Sequence, residues 1–277
     1  MQLRELQELN LDAIKDALCV VAAGHRMELL GEEMQCLSQA FRARGTFHLL
    51  QSADLAAFSM NLQRSGQARR YFLRKSREQL SPDLIFTALS RTDVVFDCIA
   101  SGDWRLANAV GALSPSEWQR EGEYEEDFCY HGLLHAHIAT VLGDTPTESP
   151  AAWHARLERA VADVPDAQLD AARLDLCSTL LGQDAGSFWQ AFERIVVVSG
   201  ELADGVPLSD GRVFEFPWLA AERFISVELL AWLDVGRRKW GLPPQAEYKR
   251  CPSMAWAPDV AQPAPDIFVE LEQQFGL

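Results

Sequence analysis

Asp127, His131 and His135 follow one another at intervals of four within EGEYEEDFCYHGLLHAHIATVLGD, residues 121–144. On an α-helix that spacing puts all three on one face. A carboxylate and two imidazoles so placed could ligate a divalent metal, as a metal-dependent hydrolase would require. The pattern is incomplete, however. HExxH is absent, and no second His or Cys pair offers an obvious third or fourth ligand. His137 points to another side of the helix from His135. Phe128, Leu134, Ile138, Val141 and Leu142 share the stretch, so its histidines read as core or boundary residues and no metal is expected. Cys129 near His131 and His135 offers a thiol and a base, but sequence neighbours on one helix rarely meet that geometry. GxSxG, SxxK, the P-loop and GxGxxG are all absent. Neither catalytic residues nor a cofactor are expected.

The same region carries a second pattern. Glu117, Glu121, Glu123, Glu125, Glu126 and Asp127 form an acidic rim interrupted by Trp118 and Tyr124. Aromatic side chains set among acids suit a protein-binding patch; a solvated loop is the alternative. The net charge is −15, and residues 1–100 contribute none of it, with 12 basic and 12 acidic residues. Residues 101–277 hold 13 basic and 28 acidic residues. Phosphate is repelled by such a face, so nucleic acid is not the expected ligand, whereas a basic protein partner is attracted. An acidic surface that serves only solubility is the other possibility. The one basic cluster, RSGQARRYFLRKSR at 64–77, sets Arg69, Arg70, Arg74, Lys75 and Arg77 beside Tyr71 and Phe72. It could meet phosphate or RNA, but pairing with the chain's own acidic half is preferred.

Helices must position these residues. Leu3, Leu6, Leu9, Ile14, Ala17, Leu18 and Val21 fall near one helical face. A second helix is expected to stop at Gly45, a third to start at Ser52, and another to open on Ser81 and Pro82. The only strand candidate is VPLSDGRVFEF, 206–216, which reads equally as a loop. Between 92 and 200 a weak repeat recurs: an apolar helix, a Gly-containing turn, then an aromatic-led helix. Its pivots, Gly102, Gly143 and Gly182, lie 41 and 39 residues apart, which predicts stacked αα-hairpins. Asp144 and Asp184, at two of these turns, are the second candidate contact region after the rim. Pro243, Pro244, Pro252, Pro258, Pro263 and Pro265 mark an irregular tail, 243–277, expected to wrap the helices through Trp256, Ile267 and Phe268. The expected fold is all-α: one domain over 1–277 with ten to twelve helices, the N-terminal ones within 1–50. The six cysteines form no CxxC pair and lie in apolar helical patterns, as reduced thiols of a cytoplasmic protein would. No signal-like or membrane-spanning run occurs, so a membrane location is not expected.

CIASGDWRLANAVGALSP (98–115), then an acidic, tyrosine-containing segment and a helix ending VLGD, resembles the immunity protein 49 family of bacterial polymorphic toxin systems. AERFISVELLAWLDVGRRKWGLP (221–243), with its proline-containing tail, is similar to that family's C-terminal part. The resemblance covers roughly residues 50–260 and carries no chemical signature. It implies a cytoplasmic antidote that binds a cognate toxin domain and blocks it without catalysis of its own. Trp118, Glu121, Glu123, Tyr124, Glu125, Glu126 and Asp127, with Asp144 and Asp184, are the candidate contacts read from the residues. A helical-repeat scaffold binding some other protein is the second possibility, and a metal-dependent hydrolase is the third.

Overall fold

A computed structural model describes residues 3–23, 27–78, 84–165, 167–182, 184–204, 223–241, 247–256 and 262–275. Among these residues the chain forms twelve α-helices and no strand, an all-α fold of packed helices. None of those helices is long and apolar enough to cross a membrane. The expected cap at Ser81–Pro82, the strand candidate at 206–216 and Pro243, Pro244 and Pro258 lie outside the described residues.

Helices α1 (Leu3–Ala22), α2 (Met27–Ser52) and α3 (Leu55–Arg77) pack in chain order, α2 against both of its neighbours. Two expected boundaries are corrected here. Gly45 does not end α2; it sits in mid-helix where α3 crosses, with the Phe58 carbonyl 3.0 Å from where a Cβ would stand. Its bareness serves close approach, a use that a stop signal in sequence imitates. Ser52 closes α2 by bonding the His48 carbonyl at 2.9 Å, and Asp54 caps α3 by accepting from Ala57 N at 2.9 Å.

Next come the short α4 (Leu84–Thr87), a 3₁₀ turn at Arg91–Asp93, and three helical hairpins. These are α5 (Val94–Ala100) with α6 (Trp104–Leu113), α7 (Glu125–Leu142) with α8 (Pro150–Ala162), and α9 (Gln168–Leu181) with α10 (Ala185–Asp204). Each helix packs on its hairpin partner, and α6 on α7 and α8 on α9 join successive hairpins. The repeat is one of packing more than of turn chemistry. Gly102 and Gly143 turn the chain through left-handed backbone at φ 81° and 83°, which a side chain would resist. Gly182, at φ −87° and ψ 178°, is merely extended. Asp103 caps α6 through Leu106 N at 2.9 Å, whereas α8 is capped by Ser149, with Pro150 in its first turn.

Helix α11 (Val227–Trp240) packs on α5 and α10 and supplies the buried Trp232, Leu229 and Leu230 to the main apolar core. A smaller core joins α1, α2 and α3 with Phe268. The tail is less irregular than its prolines suggest, because Ile267–Phe275 forms α12. Phe268 stacks on Tyr71 with centroids 4.9 Å apart, and Gln63 and Gln67 donate to the carbonyls of Gln262 and Ala264 at 3.1 Å. Arg70 pairs with Asp266, and Arg74 and Lys75 meet Glu272 at 2.6 and 3.1 Å. The basic stretch of α3 is thus engaged by the chain's own acidic tail. Asp266 also accepts from Phe268 N at 3.1 Å, stopping the extended run of prolines where α12 begins.

Spacing within the second hairpin is testable. A Cβ on Gly132 of α7 would lie 2.6 Å from the Trp153 ring of α8. That ring is flanked by Phe128 at 5.2 Å and Arg156 at 4.5 Å, so it has little room to swing. Overpacking costs about 1–3 kcal/mol, whereas Ala in place of Gly favours a helix by up to about 1 kcal/mol. Gly132→Ala should therefore lower the urea midpoint. An unchanged or raised midpoint in Gly132→Ala would show that α7 and α8 are not in this close register.

Candidate functional site

The segment between α6 and α7 is built from the inside. Gly122 N and Glu123 N donate to the Gln119 carbonyl at 2.7 and 3.1 Å, closing a tight turn. Trp118 is half-buried against the main core, and its indole N–H donates to the Glu123 carbonyl at 3.1 Å. The Glu123 carboxylate accepts from Ser90 N at 2.8 Å and Gln119 N at 3.4 Å, tying the loop to the turn after α4. At Gly122 the loop is so close to α4 that a Cβ would stand 3.0 Å from Ile85 Cα and Ala88 Cβ. Trp118 and Glu123, expected on the rim, therefore hold the loop in place. Arg120 lies over the outer face of Trp118, 5.1 Å from its centroid.

Three of the acids have a second duty. Glu125, Glu126 and Asp127 occupy the first turn of α7, where the exposed N–H groups of a helix favour negative charge. Glu121 and Glu125 are exposed, and Tyr124 between them is 74% exposed, its side chain making no capping bond. With Glu117, which is also exposed, these three form the free surface of the rim.

Behind the rim the proposed metal triad comes apart. His131 is buried; its Nδ1 lies 2.9 Å from the Asp127 carbonyl and its Nε2 3.0 Å from Asp93 Oδ1. Both neighbours offer only acceptor oxygens, which favours the doubly protonated ring, although the Asp93 contact meets the distance of an ion pair and not the angle of a hydrogen bond. Burial opposes that charge, but Asp93 and Asp127 outweigh it and raise the His131 pKa. The Asp127 carboxylate instead meets Arg173 at 3.3 Å. His135 turns toward Gly111, and burial, with the charges of His131 and Arg69, lowers its pKa to about 3, leaving it neutral. Among the described residues no group of three or more His, Cys, Asp and Glu could hold a metal. Cys129 is buried and its thiol pushed up to about 11 by burial, far from a thiolate nucleophile at neutral pH.

Asp93, which no sequence pattern singled out, is the centre of the site. It follows α4 in left-handed backbone at φ 52° and presents its carboxylate to a polar depression of about 740 Å³. Crowding by neighbouring atoms works against its charge. Half of the side chain nonetheless remains exposed, so water offsets much of that effect. The His131 contact dominates, helped by Arg42 and Arg173, and holds Asp93 at about 2. Arg173 on α9 is itself bound in bidentate fashion by Glu228, at 2.9 and 3.1 Å, and lies over Tyr130. Tyr130 donates to Glu228 at 2.8 Å and accepts from the Trp232 indole at 2.6 Å. The depression's floor is thus continuous with the core network.

The remaining candidates lie elsewhere. Asp144, exposed, accepts from Asn108 at 2.7 Å across the first two hairpins. Asp184 caps α10 through Gly186 N and Ser187 N at 2.9 and 3.1 Å, in a separate open groove between α9 and α10. Ser178 on that groove meets His154 at 2.7 Å, but Ser178 gives its proton to the Leu174 carbonyl. The histidine is then the donor, the reverse of an activated nucleophile. No family model matches the chain, and no curated protein or solved structure matches it either.

The Asp93–His131 pair sets a pH window. His131 has a raised pKa, so its contribution is complete below the unfolded value near 6.5 and is lost as pH rises through the folded value. Asp93 is lowered, so its contribution is present above about 4 and is lost as pH falls toward its folded value. Asp93→Asn, which retains a residue tolerant of left-handed backbone, should lower the urea midpoint most between about pH 4 and 6.5. The deficit should shrink by about pH 9. His135, and His137, which burial and then Lys239 lower to about 4, act in the opposite sense. They charge in the unfolded chain first, so the parent protein should lose stability as pH drops below about 6.5. A deficit in the Asp93 variant that is constant with pH would show that the ion pair is not formed.

Proposed function

We propose that the chain is a cytoplasmic immunity protein that binds a cognate bacterial toxin domain and neutralises it by covering its active site. Tyr124 carries this proposal. A large aromatic side chain stands almost fully in water at the head of α7, flanked by exposed Glu121 and Glu125, on a loop fixed by its own hydrogen bonds. A prearranged aromatic loses little freedom on binding, and such residues supply the central anchors of protein interfaces. The acidic residues around it, within an acidic C-terminal two-thirds, would speed encounter with a basic cleft. Toxins that act on nucleic acids or nucleotides present such clefts to their substrates, and an acidic inhibitor competes for the same charge. The similarity of residues 98–115 and 221–243 to the immunity protein 49 family adds the kind of partner and nothing about the contact.

The anchor and the rim should separate experimentally. A partner captured by the tagged chain should arrest growth when expressed alone and be tolerated when this chain is co-expressed. Tyr124→Ala should weaken that complex by about 2 kcal/mol, mainly through faster dissociation, without changing the melting temperature. Glu121→Lys with Glu125→Lys should instead slow association, by a factor that shrinks as salt rises. Either residue changed singly to Ala at the rim should be nearly silent, since exposed pairs contribute about 0.2–1 kcal/mol. Unchanged protection and unchanged rates in a variant carrying all three substitutions would remove this face from the contact.

A further inference from the structure

A different cleft, of about 490 Å³, lies where the end of α6, the middle of α7 and the loop between α7 and α8 meet, with Trp153 of α8 on one side. Its size is within the range of small-molecule sites. Its walls are tied together. Asn108 of α6 donates to Asp144 at 2.7 Å, and a Cβ on Gly132 would stand 2.6 Å from the Trp153 ring. Three formally charged side chains line it, and each is engaged. Asp144 accepts from Asn108, and Glu148 holds Arg156 at 3.0 Å. Arg77 donates Nε and Nη2 to the carbonyls of Leu113 and Ala112, at 3.1 and 2.7 Å, where α6 ends.

The group left over is an imidazole. His135 packs so closely on Gly111 that a Cβ there would stand 2.8 Å from its Cγ and 3.0 Å from its Cε1. Its Nδ1 is sealed in that contact without a hydrogen-bond partner. Nε2 of the same ring is not sealed, has no partner among the described residues, and opens on the cleft. The tautomer follows. A proton on Nδ1 would be buried against a methylene with nothing to accept it, whereas a proton on Nε2 keeps access to water or a ligand. Burial, with the charges of His131 and Arg69, keeps a second proton off the ring. His135 therefore presents one uncharged donor to the cleft. We propose that this cleft binds a small uncharged organic molecule whose carbonyl oxygen accepts from His135 Nε2, its apolar body lying along Leu89, Pro115, Ala136, Ala139 and Trp153. Charge selects against the alternatives. A carboxylate would find Arg77 already turned to the end of α6 and would face Asp144 and Glu148. An ammonium would find both acids engaged and a donor at His135 in place of an acceptor. The cleft does not depend on the Tyr124 face and is tested in the free protein, so its failure leaves the proposed toxin contact untouched.

Benzamide, benzoate and benzamidinium share one shape and differ in charge, so they separate these cases. The full chain, with its histidines isotopically labelled, is titrated with each and followed by the nuclear magnetic resonance of the ring nitrogens. Benzamide should bind with a Kd on the order of 1 mM and move the His135 Nε2 signal. Benzoate and benzamidinium should each bind about fivefold more weakly or worse. His135→Leu should weaken benzamide by about fivefold, whereas His135→Gln, which keeps a side-chain N–H donor, should restore most of that loss. The charge series and the His135 signal in the parent protein decide the question should the Leu variant fail to fold. An Nε2 signal unmoved by benzamide at about 20 mM, either ion binding as tightly as benzamide, or undiminished binding in His135→Leu would each overturn the proposal.

Discussion

Buried charge must be matched, and in this protein that requirement ties together helices distant in sequence. Arg42 of α2 holds Asp97 of α5 in bidentate fashion at 2.6 and 3.1 Å, and Ser65 of α3 donates to the same carboxylate at 2.5 Å. Burial pushes Asp97 up to about 6, yet two nitrogens of one guanidinium and a hydroxyl pull the other way. With Arg and carboxylate both buried, removing either partner would strand a charge, which is far costlier than the pair's net contribution. Asp234 of α11 is bound in the same manner by the Trp104 indole at 2.7 Å and by Arg237 and Arg238 at 2.6 and 2.9 Å. Arg69, without a carboxylate, instead donates to the carbonyls of Phe86, Thr87 and Ala88 at the end of α4. Apolar contacts tolerate sliding; these directional contacts do not, so they fix how α2, α3 and α5 meet and how α11 meets α6.

The same constraint explains which parts of the molecule were legible in the sequence. Helical periodicity and the Gly–Asp turns describe local geometry, and they located the three hairpins and the all-α class. Gly45 was misleading because a glycine that ends a helix and one that admits a crossing helix look alike until the neighbour is known. Asp93 carries no local signal at all. It is one acid in an unremarkable RTDVV, and its importance comes from His131, 38 positions later in the chain. Asp266 and Glu272 were likewise invisible as the partners of α3, although the cluster on α3 announced that acids were needed somewhere.

The acidic rim shows how charge in a sequence overstates charge on a surface. Six acids and two aromatics cluster between 117 and 127. Glu123 is a loop brace, Asp127 a partner of Arg173, and the first turn of α7 has its own use for Glu125, Glu126 and Asp127. Tyr124 stays exposed because its neighbours on both sides are committed: the chain reaches it straight from the braced turn and leaves it into the helix. The loop's rigidity is therefore a by-product of satisfying Glu123 and Trp118 internally.

That arrangement links surface and interior more directly than a patch on a loop normally would. Glu123 reaches back to Ser90, Ser90 leads within three residues to Asp93, and Asp93 holds His131 in α7, whose first turn follows Tyr124. The chain thus closes a ring of contacts from the loop through the 3₁₀ turn to α7 and back. Opening the ring at any point frees the others: loss of the Asp93 charge leaves a buried imidazolium unpaired, and the imidazole must then shed its proton or move. A helix that shifts to relieve it would carry Tyr124 with it. The ion pair, sealed at His131 and half-open at Asp93, therefore belongs to the same ring of contacts as the braced loop that presents Tyr124.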